Sequence, residues 1–441
     1  MTHETGWAGL RWVVALALAA GLVTDARAFH SGGVGECEGC HSMHNSFESS
    51  ANVTSMAQYQ SGPYLLKARD QSGACLNCHH ASDTAPNGYH VSTAGIAPLD
   101  STTPVEVTPG GDFAWLKKTM SGSVRNTPTT WDGDRHGHNV IAVDFGYSQD
   151  KLQSSSPGGN YPAASLACIS CHDPHGRYRR FADGSQATTG LPIFDSGSYS
   201  TSASPIAGVS AVGAYRLLAG VGYQPKSLAG SHAFGSPSPD AVAPPAYNKL
   251  ETSNTDPTLQ TIVAYGRGMS EWCANCHVAM HESSYTSGMK GLVHPAGNGA
   301  KLTAAIAANY NAYVSSGVMT STGPAYSTLA PYELGSGDYD GVLKPFVASP
   351  TRASTANNVM CLSCHRSHAS AFQSKANSSH GSEFLTIADA SSAAMYDSST
   401  TESSINMGYS AAQQQQAYYG RPASVFGPYA RSYCNKCHAK D

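Results

Sequence analysis

The sequence predicts a protein that is mostly coil, with short helices and very little strand, folded as one elongated unit around an interior the polypeptide does not supply by itself. Three observations lead there. The 44 glycines and 24 prolines are spread along the whole chain and interrupt any long regular element. Only 13% of residues are charged, while Gly, Ser, Thr and Ala are abundant, a composition that builds no large conventional core. All 12 cysteines fall in six copies of one five-residue pattern.

Helices are expected at three places. Thr261 to Ala274 has apolar residues at helical spacing and leads into the fourth cysteine motif. Leu302 to Val314 is Ala-rich with the same spacing, and Ala411 to Tyr418 carries the Gln413–Gln416 run as an exposed helical face. Asn139 to Tyr147 alternates weakly, as a short strand would. Ser154–Gly159 and Gly235–Pro239 read as surface loops. The motif histidines are 38 to 105 residues apart, which excludes a solenoid, and no repeat is visible beyond the motif itself.

The motif is Cys-x-x-Cys-His: Cys37, Cys40 and His41; Cys75, Cys78 and His79; Cys168, Cys171 and His172; Cys273, Cys276 and His277; Cys361, Cys364 and His365; Cys434, Cys437 and His438. Cysteines at i and i+3 share one face of a helical turn, from which both sulfurs can form thioethers to the vinyl groups of one porphyrin edge. The histidine at i+4 projects from the same face and reaches the iron as proximal ligand. Zinc also uses paired Cys-x-x-Cys, but six copies each closed by histidine, with no cysteine left over, point to six c-type haems. The chain is therefore a multihaem cytochrome c. A haem that hides several hundred Å² of apolar surface contributes on the order of 10 kcal/mol. The porphyrins then form the missing interior, and the apoprotein is not expected to fold.

Beyond the six proximal histidines and His3, twelve remain. Six would give every haem a second histidine, a closed low-spin arrangement suited to electron transfer. His44, His175 and His368 each follow a motif histidine by three residues, and His281 follows His277 by four. Such a side chain cannot easily reach the far face of its own porphyrin, so it is expected to ligate a neighbouring haem and hold the two close. His44, His90, His138, His175, His294 and His368 are the expected distal set, with His281 and His30 in reserve. His136, His232 and His380 sit in polar, Gly/Ser-rich surroundings and read as surface residues, and His80 is badly placed for any other iron. The 11 methionines show no comparable pattern and read as packing residues.

Arg11, the apolar stretch Trp12 to Val23 and Ala26-Arg27-Ala28 read as a signal peptide cleaved after Ala28, leaving residues 29–441 as a single hexahaem unit. The apolar stretch is short for a membrane span, and no later one approaches that length. Export through the periplasm to the outer surface or beyond follows. Losing Arg11, Arg27, Glu4 and Asp25 leaves the formal charge at −4, and haem propionates make the holoprotein more acidic. No basic run suggests nucleic acid.

Specific segments resemble the extracellular hexahaem c-type cytochromes of the OmcS type, the filament-forming "nanowire" cytochromes of metal-reducing bacteria. They include Phe29-His-Ser-Gly-Gly33, the run from Glu36 to Asn45, Cys171 to Gly176 with Tyr178-Arg-Arg-Phe181, Ala187 to Ile193, and Gly268 to His277. His294 to Lys301, Cys361 to Arg366 and Cys434 to Asp441 complete them. His136, His232 and His380 have no counterpart in the family pattern, and residues after 320 and around 370–410 match less well.

The resemblance implies a largely coil fold and head-to-tail polymerisation around a continuous chain of bis-histidine haems. It also implies that His44 ligates the haem of Cys361 and Cys364 in the adjacent subunit. An open polymer is what a heterologous, non-closing contact produces. The expected function is long-range extracellular electron transfer, with other multihaem cytochromes and acceptors such as metal oxides as partners. The alternative is a monomeric electron shuttle in the periplasm or at the outer surface. An oxyanion reductase needs a haem with an open site, often with lysine replacing the motif histidine. All six motifs here end in histidine, so an enzyme is not expected.

Overall fold

The computed structural model describes residues 37–42, 62–81, 89–98, 102–124, 126–195, 197, 199–244, 262–281, 295–315, 318–319, 325–379, 383–397 and 407–438. The expected signal peptide and His30, His44, His294 and His380 lie outside them. Within them the chain is mostly coil, as expected, with short helices and little strand.

The longest helices among the described residues run nine residues, Gln71–His79 and Ala304–Ala312. Each starts on a side-chain cap: Asp70 accepts from the Gly73 amide at 2.7 Å, and Thr303 from the Ile306 amide at 3.2 Å. Helix Ala411–Ala417 opens on a reciprocal box between Ser410 and Gln413. The strands are similarly short. Met120–Val124 and Thr127–Trp131 form an antiparallel hairpin. Gln186–Ala187, Arg179–Arg180, Ala211–Gly213 and Ile193–Asp195 form, in that order, a four-stranded mixed sheet.

Several expectations are corrected. Thr261 to Ala274 is not one helix: Ala264–Arg267 is a strand paired with Asp240–Val242, and the helix Met269–Cys273 begins only after Gly268, whose φ of 87° breaks the path. Asn139 to Tyr147 holds no strand but a 3-10 turn at Val143–Phe145, closed by a bridge between Ala142 and Tyr147 around Gly146 at φ 73°. Gln413 and Gln414 are buried, so the glutamine run is not one exposed face. Ser238, in an expected surface loop, is buried and donates to the Leu218 carbonyl at 2.8 Å.

The chain also builds more apolar interior than its composition suggested, and tyrosine provides much of it. Tyr326 and Tyr332 meet Phe346 and each other edge to face, Tyr310 meets Tyr332 in the same way, and Tyr418 packs between Tyr396, Phe372 and Phe426. Their hydroxyls end on backbone carbonyls, Tyr310 on Ala330 at 2.7 Å and Tyr396 on Arg421 at 2.7 Å. No helix of the described residues is long and apolar enough to cross a membrane.

Candidate haem sites

Each motif is a single helical turn. The histidine amide donates to the carbonyl of the first cysteine at 2.8 Å in His41, 3.0 Å in His172, His277 and His365, and 2.9 Å in His438. The second motif lies inside helix Gln71–His79. That turn places two thiols and an imidazole side by side, and none of the twelve cysteines is in a disulfide.

The imidazoles are oriented by backbone. Nδ1–H donates to a carbonyl in His41 (Tyr64, 2.9 Å), His79 (Tyr89, 2.8 Å), His172 (Arg216, 2.8 Å), His277 (Pro157, 2.8 Å) and His365 (Ser374, 2.7 Å). A carbonyl only accepts, so Nδ1 carries the proton and Nε2 keeps its lone pair for a metal.

A repeat invisible in the sequence appears at this level. In the first, third and fifth motifs the accepting carbonyl belongs to the first of two consecutive left-handed residues: Tyr64 and Leu65, Arg216 and Leu217, Ser374 and Lys375, all with φ between 49° and 60°. The second of the pair then accepts from the residue after the histidine (Ser42, Asp173, Arg366). Two residues further on, an amide returns to the second cysteine: Lys67 to Cys40, Ala219 to Cys171, Asn377 to Cys364. These are the three motifs with histidine three residues on. The third and fifth are also tied to their predecessors in the same way, Cys168 N donating to Ser72 Oγ and Cys361 N to Ser270 Oγ, both at 3.1 Å. Ser72 and Ser270 each stand three residues before the first cysteine of their motif.

The motifs are strung in chain order. Cys40 lies near Cys78, Cys75 near Cys168, Cys171 near Cys276, Cys273 near Cys361, and Cys364 near Cys434 and Cys437.

Among the described residues, two pairs of histidines face each other. His138 and His277 have ring centroids 6.0 Å apart, and His172 and His368 6.4 Å apart. Two imidazoles on opposite sides of one metal, with bonds of about 2 Å each, put their centroids about 6 Å apart. His138 Nδ1 donates to the Ser367 carbonyl at 2.7 Å, the same orienting device as in the motifs. Lys375 Nζ lies 2.7 Å from His138 Nε2 and so stands where a metal on that nitrogen would. All four imidazoles are held below the usual histidine range, by burial first: His277 to about 4 and His368 to about 3. Neutral imidazole is the ligating form. The residues present thus fit iron porphyrin held from both faces, and no group of three or more His, Cys, Asp or Glu forms a metal cage among the described residues.

The other histidines divide. His90 is half-buried and near His79, whose pKa is lowered by burial first and by His90 in addition. His175 is exposed beside Asp173. His281 sits 3.6 Å from Glu271 Oε1. His80 stacks edge-on against Phe145 and bonds Ser92 Oγ at 2.9 Å, away from any facing histidine among the described residues. His232 bonds the Asn160 carbonyl at 3.1 Å and is partly exposed. His136 corrects the surface reading: it is fully buried, with Nδ1 on the Trp115 carbonyl at 3.2 Å. Sequence reasoning also missed Ser72, Ser270 and the paired left-handed residues; the serines' shared spacing before the cysteines was the available signal.

No family model matches the chain. It is 52% identical over 440 residues to the C-type cytochrome OmcS of Geobacter sulfurreducens, covering 98% of this chain and 99% of that one. The fold matches the cryo-electron microscopy structure of OmcS nanowires from Geobacter sulfurreducens with a TM-score of 0.83 at 52% identity, over 92% of this chain and 98% of that chain. It matches a structure of the Outer Membrane Cytochrome S filament of the same organism equally, with a TM-score of 0.83 at 51% identity, over 94% and 100%.

Proposed function

The chain belongs to the OmcS family of c-type cytochromes, and from that membership we infer that it carries electrons through covalently bound haem in an extracellular filament of its own copies. The observation that supports this reading is the order of the motifs, each near the next along the chain, because electrons hop only between redox centres held close. The haem supplies the redox change; the protein supplies attachment, ligation, burial and spacing.

Six haems are proposed, attached through Cys37, Cys40, Cys75, Cys78, Cys168, Cys171, Cys273, Cys276, Cys361, Cys364, Cys434 and Cys437. The proximal ligands are His41, His79, His172, His277, His365 and His438. His138 serves the fourth haem, opposite His277, and His368 the third, opposite His172. His368 follows the fifth motif, so it reaches two motifs back along the string rather than to the next one. The same step, applied to its structural equivalents, assigns His175 to the first haem. It assigns His44 to the fifth haem of the adjoining subunit, as the family resemblance implied. His90 and His294 complete the distal set, with His281 and His30 in reserve.

Export follows cleavage of residues 1–28, with passage through the periplasm, and residues 29–441 act as one unit. Other multihaem cytochromes are the proposed donors, and metal oxides are among the acceptors. Two measurements test the reading together. The mass of the secreted chain reports whether six haems have been added. Cryo-electron microscopy of material sheared from cells reports whether it forms filaments. A colourless polypeptide removes the haem reading, and a haem-loaded monomer leaves the shuttle instead.

A further inference from the structure

Glu333 has no exposed surface, and among the described residues its carboxylate is held by N–H groups alone. Oε1 accepts from the Met269 amide at 2.8 Å, and the Asn358 side-chain amide stands 3.4 Å from Oε2. The backbones are joined as well, Glu333 N to Asn358 O at 3.0 Å and Asn358 N to Glu333 O at 2.9 Å. Met269 opens the helix that leads into the fourth motif, and Asn358 stands three residues before Cys361 of the fifth. Ser270 ties the two motifs, its Oγ accepting from Cys361 N at 3.1 Å. The carboxylate is therefore fixed at the joint between two haem attachment motifs.

The same joint holds an acceptor without a donor. Asn358 is 1% exposed, and its Oδ1 is buried with no hydrogen-bond partner among the described residues. An orphaned buried acceptor is costly. An ionised Glu333 cannot relieve it, since a carboxylate only accepts. A protonated one can: with the Asn358 amide turned over, the new O–H donates to Oδ1. The site thus serves both states of the carboxyl, with Nδ2 for the anion and Oδ1 for the acid. Burial favours the acid and lifts its pKa to about 7.

The charged groups on the elements packed here do not neutralise Glu333. Glu271, on the helix that Met269 opens, is half-buried and of like charge; its Oε1 takes the Asn298 amide at 2.7 Å and lies 3.6 Å from His281 Nε2. Arg267 and Lys301 are exposed and engaged elsewhere, with Asp240 Oδ2 at 2.8 Å and the Ala356 carbonyl at 2.7 Å. Tyr265, whose carbonyl takes the Leu334 amide, is a buried neutral phenol. Cys361 has no ionisable thiol once it is attached to haem.

We propose that Glu333 is a proton site coupled to electron transfer, binding one proton when an electron arrives at the haem of the fourth or fifth motif and releasing it when the electron leaves. The inference rests on the haem reading above. In the step, ferric iron gains one electron from the neighbouring haem and becomes ferrous, while the carboxylate gains one proton from solvent and becomes the acid. The reverse step returns both. A buried carboxylate favours the ferric charge and a neutral carboxyl does not, so the potential falls as pH rises and Glu333 ionises.

The test compares wild type with Glu333→Gln, each first shown by mass to carry six haems. Infrared difference spectra between oxidised and reduced wild type at about pH 7 are expected to show a protonated-carboxyl C=O band that grows on reduction, and Glu333→Gln should lack it. In potentiometric titrations over a range of pH, the midpoint of one wild-type component should fall as pH rises. The slope is at most about 59 mV per pH unit, a tenfold change in the reduction equilibrium. Glu333→Gln should lose that slope. A wild-type spectrum without the band, a band retained in fully loaded Glu333→Gln, or equal slopes in the two proteins overturns the proposal. If Glu333→Gln does not load, Glu333→Asp takes its place, and a band at the wild-type frequency overturns the proposal. A wild-type chain without six haems refutes the underlying reading instead and is seen at the first step.

Discussion

His172 and His368, far apart in the chain, face each other with ring centroids 6.4 Å apart and an interplanar angle of 58°. Phe113 stacks on His368 at 4.6 Å, and the Arg216 carbonyl fixes His172 through Nδ1, so both rings are held by surrounding structure rather than by each other. A pair arranged before the metal arrives loses little freedom on binding it.

His368→Ala is therefore expected to leave all six haems attached, because no cysteine is touched, while one loses its distal ligand. Electron paramagnetic resonance of the oxidised variant should show one high-spin haem beside five low-spin ones. A fully low-spin spectrum would mean that His368 ligates nothing.

His44→Ala separates assembly from folding. If His44 ligates the fifth haem of the adjoining subunit, the variant should be secreted with six haems and remain monomeric when examined by electron microscopy. Filaments of normal length would place the subunit joint elsewhere.

Ser374 is exposed and held at φ 57°, a conformation that costs an L residue about 1–2 kcal/mol and glycine almost nothing. Its carbonyl, not its side chain, orients His365 at 2.7 Å. After the added unfolded-state entropy of glycine, Ser374→Gly should stabilise the holoprotein by about 0.5–1 kcal/mol. The denaturation midpoint should rise with the visible spectrum unchanged.

Glu333 is fully buried, accepting from the Met269 amide at 2.8 Å at the start of the fourth haem helix. Burial raises its carboxyl to about 7, with Glu271 nearby adding to the effect. The native state then binds more protons than the unfolded state between about pH 4.5 and 7, so this group's stabilisation is complete below that window and is lost as pH rises through it. The loss is up to about 3 kcal/mol. Denaturation of Glu333→Gln across the same window should be flatter than wild type, and an equal slope would clear Glu333 of the effect.

Lys436, inside the sixth motif, is fully buried, and its ammonium donates to the carbonyls of Tyr310, Tyr313 and Ala325. It also lies 4.1 Å from the centre of the Tyr310 ring. Lys436→Met should cost about 2–3 kcal/mol, since three buried carbonyls lose their donor. Thermal denaturation measures it; a change below half that size would show that water replaces the ammonium.

The chemistry of this protein was written locally. Cys-x-x-Cys-His needs only one helical turn to present two thiols and an imidazole together, so twelve cysteines and six histidines were enough to read six haems. Helices with their caps beside them, such as Thr303 before Ala304–Ala312, were readable for the same reason. Where the partner was distant, reading failed. The helix expected at Thr261 was partly claimed by the strand Asp240–Val242, and His136, polar in its local surroundings, was buried by Trp115 and its neighbours. By itself, then, the sequence pointed to c-type haem and to the atoms that would hold it, because those contacts close within five residues. Only the tertiary structure decided the order of the motifs, the partnership of His172 with His368 and of His138 with His277, and the three left-handed turns that aim alternate histidines, because each depends on backbone brought together from far along the chain.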